Sequence, residues 1–127
     1  MKIYLCGPIN ACTDEECKDW RNLARVRYGN KKCIDPMKRD YRGIEDSCYR
    51  QIVDLDKRDI RMSDVVLVNY SKPSVGTSME VFYAWTLGIP VVVVAEERTR
   101  ISPWLRYHST VIVHGFEDAF DWIDEAL

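Results

Sequence analysis

Apolar residues along this chain fall into two alternating rhythms. Short runs rich in β-branched side chains occur at Lys2–Cys6 (KIYLC), Asp64–Asn69 (DVVLVN) and Val91–Ala95 (VVVVA), with weaker ones at Lys32–Ile34 and Thr110–Val113. These predict strands. Longer stretches with helical spacing lie between them, at Asp14–Tyr28, Asp46–Met62, Thr77–Leu87, a short piece over 101–107, and Glu117–Leu127. Gly88 stands just past the third of these with Pro90 beyond it, the usual residues for stopping a helix. The runs VVLV and VVVV do not alternate with polar residues, which is the pattern of parallel strands covered on both faces. The β-α order therefore predicts an α/β fold, a flavodoxin-like doubly wound five-stranded parallel sheet of order 2-1-3-4-5. Residues 1–127 form one domain in this reading. Ligands of such sheets bind beyond the carboxyl ends of the strands, where the strand order switches. The loops Gly7–Thr13, Pro36–Gly43 and Tyr70–Gly76 are brought together there, so they are the place to look for chemistry.

Composition narrows the function classes. The chain has 127 residues with 18 Lys and Arg against 20 Asp and Glu, a net charge of −2. No lysine or arginine cluster marks it as a nucleic-acid binder. No apolar run approaches the ~20 residues of a membrane span, and the N-terminal apolar stretch is too short for a signal peptide. Five cysteines without a CxxC pair predict free thiols in a reducing cytoplasm rather than a disulfide framework or a zinc site.

Four features stand out at and near the predicted strand ends. The loop Lys72–Thr77 leads into a helix carrying Glu80 in its first turn, where the positive helix end favours an ionised carboxylate. An anionic glutamate in a cleft is a nucleophile, but Thr77-x-x-Glu80 also fits a capping box. The first loop, Gly7-Pro8-Ile9-Asn10, joins a strand to a helix without a Walker or dinucleotide fingerprint. Its amides suit a phosphate or sugar hydroxyl, or it is a plain turn capped by Thr13 or Asp14. On the second helix Asp56 and Asp59 share a face, and Asp59 lies near the negative helix end, an unfavourable place for a carboxylate; the alternative is ordinary pairing with Lys57, Arg58 or Arg61. Tyr4 lies inside the first strand, and its buried hydroxyl needs a partner such as a carboxylate at the strand end.

The segments KIYLCGPI, DKRDIRMSDVVLVNY, KPSVGTSMEVFYA and GIPVVVV together resemble the nucleoside 2-deoxyribosyltransferase superfamily, from Lys2 to about His108. The resemblance implies that Glu80 is the nucleophile, that Asp56 is the acid on the helix before the third strand, and that Tyr4 contacts the glutamate. The loop from Pro36 to Gly43 resembles the family's base-contacting loop, and Asp40 stands where the transferases carry a base-recognising glutamine. An ionised Asp40 accepts hydrogen bonds only, which would favour a donor-rich base edge; the alternative is a surface pair with Arg39 or Arg42. Ser74 stands where the transferases have an aspartate and where the deoxynucleoside 5′-monophosphate N-hydrolase branch has a phosphate-binding serine. The segment Ile101–Arg106, with Ser102, resembles that same branch, in which the serine reaches a neighbouring subunit's phosphate.

The function this implies is cleavage of the N-glycosidic bond of a (deoxy)nucleoside or its 5′-monophosphate through a glycosyl-glutamate intermediate, with transfer to another base or to water. Glu80, Asp56 and Tyr4 are the expected catalytic residues. Gly7, Ile9, Asn10, Asp40, Ser74, Gly76, Ser102 and His108 are the expected substrate-binding residues. No metal or other cofactor is expected. The partner is a small-molecule nucleoside or nucleotide, neither nucleic acid nor membrane, and the protein is expected to be a cytoplasmic homodimer or higher homo-oligomer. A non-catalytic nucleotide-binding module on the same fold is the alternative. The residues Phe82, Tyr83 and Trp85 on the Glu80 helix read as core or subunit contacts.

Overall fold

The computed structural model describes residues 1–127. Five parallel strands, β1 (Ile3–Cys6), β2 (Cys33–Ile34), β3 (Val65–Asn69), β4 (Val91–Val94) and β5 (Val111–Val113), lie in the order β2-β1-β3-β4-β5. The helices are α1 (Asp14–Tyr28), α2 (Glu45–Arg61), α3 (Val75–Thr86), α4 (Pro103–Tyr107) and α5 (Phe116–Ala126), with a 3₁₀ turn at Pro36–Lys38. The α/β class and the 2-1-3-4-5 order match the expectation. No helix is long and apolar enough to cross a membrane.

Strand parity divides the core. Side chains of successive strand residues point to opposite faces, so Ile3, Leu5, Val65, Leu67, Val92 and Val94 pack with Trp20, Ala24, Phe120 and Ile123 of α1 and α5. Tyr4, Cys6, Val66, Val68, Val91 and Val93 pack on the other face with Ile60, Val81, Ala84 and Leu105. That parity directs Tyr4 and Cys6 toward α2 and α3, whereas Leu5 faces away.

Two helices differ from the sequence reading. The third begins at Val75, two residues early, because extended Ser74 (φ −150°, ψ 127°) caps it through a hydrogen bond donated by the Thr77 amide at 3.3 Å. Thr77 is therefore inside the helix, Glu80 lies in its second turn, and the Thr77–Glu80 capping box is not formed. On α1 the buried residues are Cys17, Trp20, Arg21 and Ala24, one turn-spaced stripe, while Leu23 is exposed. The helix starts at Asp14 as expected, and of the two expected cap candidates Thr13 is the cap, in a reciprocal capping box with Glu16.

Arg21 is wholly buried beneath the first loop. Its Nη1 donates to Cys17 O at 2.6 Å and its Nη2 to Gly7 O at 3.3 Å. Its Nε lies 3.4 Å from buried Asp35, and Trp20 stacks against its guanidinium at 4.5 Å. The arginine thus ties the end of β1 to α1 and to the segment after β2. Gly7 is required there for space: a Cβ would stand 2.9 Å from the Trp20 ring and 3.3 Å from Asn69 O.

Candidate active site

A cleft of about 700 Å³ opens between α2, α3 and α4. Its walls are mostly apolar, and its polar side chains include Asp56, Lys57, Glu80, Ser102 and His108. Asp56 comes from α2 and Glu80 from α3, and Tyr4 of β1 lies beneath them through the strand parity described above.

The Glu80 side chain runs back toward the start of its helix, as helical side chains do. Its Oε1 lies 3.9 Å from where a Cβ on Gly76 would be, an ordinary contact distance, and both residues line the cleft. Its Oε2 is buried without a hydrogen-bond partner, as are Tyr4 Oη and Thr77 Oγ1. Each such orphan costs about 1–3 kcal/mol, and unpaired buried groups call for an explanation, of which a catalytic role is one. Burial, with the Glu80 charge second, raises the pKa of both Tyr4 and Cys6, and Cys6 raises Tyr4 further.

Burial opposes the helix end at Glu80. Burial, with the Asp56 charge second, pushes the Glu80 carboxyl up to about 7; contacts to Tyr4 and Cys6 and the distant Arg21 charge pull it only partly back. The helix end was expected to keep Glu80 ionised. A helix terminus contributes roughly 0.3–1 kcal/mol, less than the displacement from 4.5 that burial imposes. Burial likewise pushes Asp56 up to about 6, opposed chiefly by Arg39. Both carboxyls are thus held above the ordinary carboxylate range, and the Asp56 charge contributes to the rise at Glu80.

The other expected residues divide between the cleft and its surroundings. Ser102 lines the cleft and caps α4 through Leu105 N at 3.2 Å. His108 is buried; its Nδ1 lies 2.6 Å from Trp104 O, and because a carbonyl only accepts, Nδ1 carries the proton. Four aromatic rings, Phe82, Trp85, Trp104 and Tyr107, surround that imidazole with centroids 4.8–5.6 Å away. Ser74 lies at the start of α3 with its hydroxyl accepting the cap bond. Ile9 and Asn10 stay on the loop after β1 and do not line the cleft, and Gly7 packs against Trp20.

Asp40 lies outside the cleft. Both its oxygens are held by Arg42, which also reaches Asp14 at 2.6 Å, and this pairing lowers the Asp40 pKa to about 2. The alternative surface pair is thus the arrangement formed. No group of three or more His, Cys, Asp or Glu side chains converges as metal ligands would.

Two features escaped the sequence reading. Buried Arg21 is one; Arg39, whose Nη2 lies 2.6 Å from Asp59 and 3.4 Å from Asp56, is the other. The awkward position of Asp59 at a helix end was the available signal for the second.

Comparison with known proteins adds the family. The family model described as nucleoside 2-deoxyribosyltransferase matches residues 3–121. Among solved structures, a 2-deoxyribosyltransferase from Bacillus psychrosaccharolyticus superposes with a TM-score of 0.75 at 18% identity, covering 94% of this chain and 90% of that one. A conserved protein from Enterococcus faecalis gives 0.72 at 17% identity, covering 99% and 98%. A CMP N-glycosidase from Clostridium botulinum gives 0.63 at 18% identity, covering 98% and 99%. No curated protein matches the sequence.

Proposed function

The chain belongs to the nucleoside 2-deoxyribosyltransferase family, and from that premise we propose that it cleaves the N-glycosidic bond of a (deoxy)nucleoside or its 5′-monophosphate through a covalent ester on Glu80. The observation that carries this reading is the buried Glu80 carboxylate, unpartnered at Oε2 and facing a cleft that it shares with Asp56.

In this mechanism ionised Glu80 attacks C1′ as the bond from C1′ to the base nitrogen breaks. The bonding pair leaves with the base, which takes up a proton. Retaining glycosidases follow the same logic, with a carboxylate forming the glycosyl-enzyme. Water or a second base then attacks C1′ and releases Glu80. Tyr4 sits where its hydroxyl can donate to Glu80 once the carboxylate is charged. Asp56 holds a sugar hydroxyl or supplies the proton to the leaving base. A positioned proton donor is worth roughly 10²–10⁴-fold.

Substrate binding is assigned around this pair. Gly76, Ser102 and His108 lie along the cleft, and Ser74 stands at the start of α3, where amides and hydroxyls suit a 5′-hydroxyl or phosphate. Gly7, Ile9, Asn10 and Asp40 belong to loops at the carboxyl edge of the sheet and do not line the cleft, so their assignment to substrate rests on the family resemblance alone. Phe82, Trp85, Trp104 and Tyr107 are 45–73% exposed on α3 and α4. Such an aromatic surface supports a homodimer or larger homo-oligomer that covers this face.

The test is incubation with each deoxynucleoside and each 5′-monophosphate, with and without a second free base. Free base identifies hydrolysis, and an exchanged nucleoside identifies transfer. Both are expected to vanish in Glu80→Ala with the fold intact. Binding without turnover in the unaltered protein would favour a non-catalytic nucleotide-binding module instead.

A further inference from the structure

Asp59 is 3% exposed at the C-terminal end of α2 and does not line the cleft. A buried carboxylate there is costly unless fully paired. Its Oδ1 accepts from Arg58 at 3.1 Å and its Oδ2 from Arg39 Nη2 at 2.6 Å. Arg39 enters from the segment that follows the 3₁₀ turn, and the same Nη2 lies 3.4 Å from Asp56 Oδ1. One nitrogen therefore bridges two carboxylates three residues apart on one helix face. Asp59 anchors the guanidinium, and Asp56 is what the anchored guanidinium reaches.

We propose that Arg39, gripped by Asp59, is a positioning residue that holds Asp56 as an aimed anion, so that Asp56 accepts a hydroxyl of the sugar rather than protonating the leaving base. This rests on the reading of the cleft as a nucleoside N-glycosidase or transferase site, and it decides between the two roles left open for Asp56. An ionised carboxylate is acceptor-only, and a guanidinium fixed on one oxygen leaves the other free to face the cleft. Arg39 is only 25% exposed, so its charge is poorly screened.

Other charges around Asp56 act in both directions. Asp59 on its own helix and burial disfavour the anion, and Arg21 of α1 favours it. The Asp56 charge in turn raises Glu80 of α3. Asp56 also acts on Tyr4 and Cys6 of β1. Lys57 of α2 and His108 beside α4 share the cleft wall. Arg39 is the one cation hydrogen-bonded to Asp56.

The experiment compares the unaltered protein with Arg39→Met, Arg39→Lys and Asp59→Asn. Carbon-13 NMR of the Asp56 carboxyl gives its titration without any need for turnover. Loss of the paired cation is expected to raise the Asp56 pKa by about one unit or more in Arg39→Met. Arg39→Lys is expected to restore most of it. Asp59→Asn removes both the anchor of Arg39 and a charge that itself raises the Asp56 pKa, so its readout is the discrimination between substrates, which is expected to fall. In parallel, kcat/KM is measured on a 2′-deoxynucleoside and on its analogue without the 3′-hydroxyl. The unaltered protein is expected to discriminate by about ten- to a hundredfold, as a hydrogen bond to a charged group does, and Arg39→Met to lose most of that ratio. An unmoved Asp56 titration, or an unchanged ratio in a folded variant, overturns the proposal. If Arg39→Met does not fold, Arg39→Gln, which removes the same charge but keeps a polar side chain, is titrated in its place and judged by the same criterion. Absence of turnover in the unaltered protein overturns the functional reading instead, while the NMR titration still reports on the grip of Arg39.

Discussion

Replacing Glu80 by glutamine is expected to stabilise the fold while abolishing activity. The Glu80 carboxyl is buried, and its pKa stands at about 7 against an ordinary 4.5. A carboxyl with a raised folded-state pKa binds its proton more tightly in the folded protein. Stability is therefore highest below the unfolded value and is lost as pH rises from about 4.5 through about 7. Above that range the full penalty is present, and a displacement of this size corresponds to about 3 kcal/mol. Glutamine is nearly isosteric and carries no charge, so it removes the penalty, and its amide can face the unpartnered Tyr4 hydroxyl. The assay is urea denaturation of both proteins at intervals between pH 5 and pH 8.5. The variant is expected to exceed the unaltered protein by up to about 3 kcal/mol at pH 8. The two curves should converge near pH 5. Equal stability at pH 8, or a gap that does not change with pH, would refute the reasoning that burial of this charge dominates its surroundings.

Three further outcomes follow from named contacts. The kcat/KM profile is expected to fall as pH drops through about 7, because Glu80 takes up a proton there; an acid limb centred near the ordinary glutamate value would contradict this. Arg21→Met leaves Asp35 with less charge to face and frees the carbonyls of Cys17 and Gly7. It should cost about 3–5 kcal/mol, seen as a melting temperature lower by roughly 10 °C or more. Gly7→Ala forces a methyl group to 2.9 Å from the Trp20 ring and 3.3 Å from Asn69 O, and should cost about 1–3 kcal/mol by overpacking, measured by denaturation with tryptophan fluorescence.

The fold was legible because its strands are written in uninterrupted valine-rich runs separated by helical stretches, and chain order then leaves few topologies. The meeting of Asp56, Glu80 and Tyr4 was legible in part. Motif spacing and the resemblance named the two carboxylates, and strand parity puts Tyr4 on their side of the sheet. The start of α3 was not legible, since Ser74 and Thr77 are both good cap residues and only the extended backbone at Ser74 chooses between them. Arg21 was hidden because periodicity counts arginine as polar, whereas here its donors are used on carbonyls and Asp35. Asp40 was drawn toward the site by its position in the loop, yet Arg42 two residues later takes both its oxygens. The protonation of Glu80 depends on burial depth, which no local pattern records; the helix end was visible in sequence and was the weaker influence.

The central claim is that Glu80 becomes covalently bonded to the sugar. Rapid acid quenching during turnover, followed by intact-mass and peptide mass spectrometry, tests it directly. The account predicts a transient gain of one pentosyl unit on the peptide containing Glu80, absent from Glu80→Gln. Turnover with the label on another residue, or with no label and an inverted configuration at C1′, would contradict it.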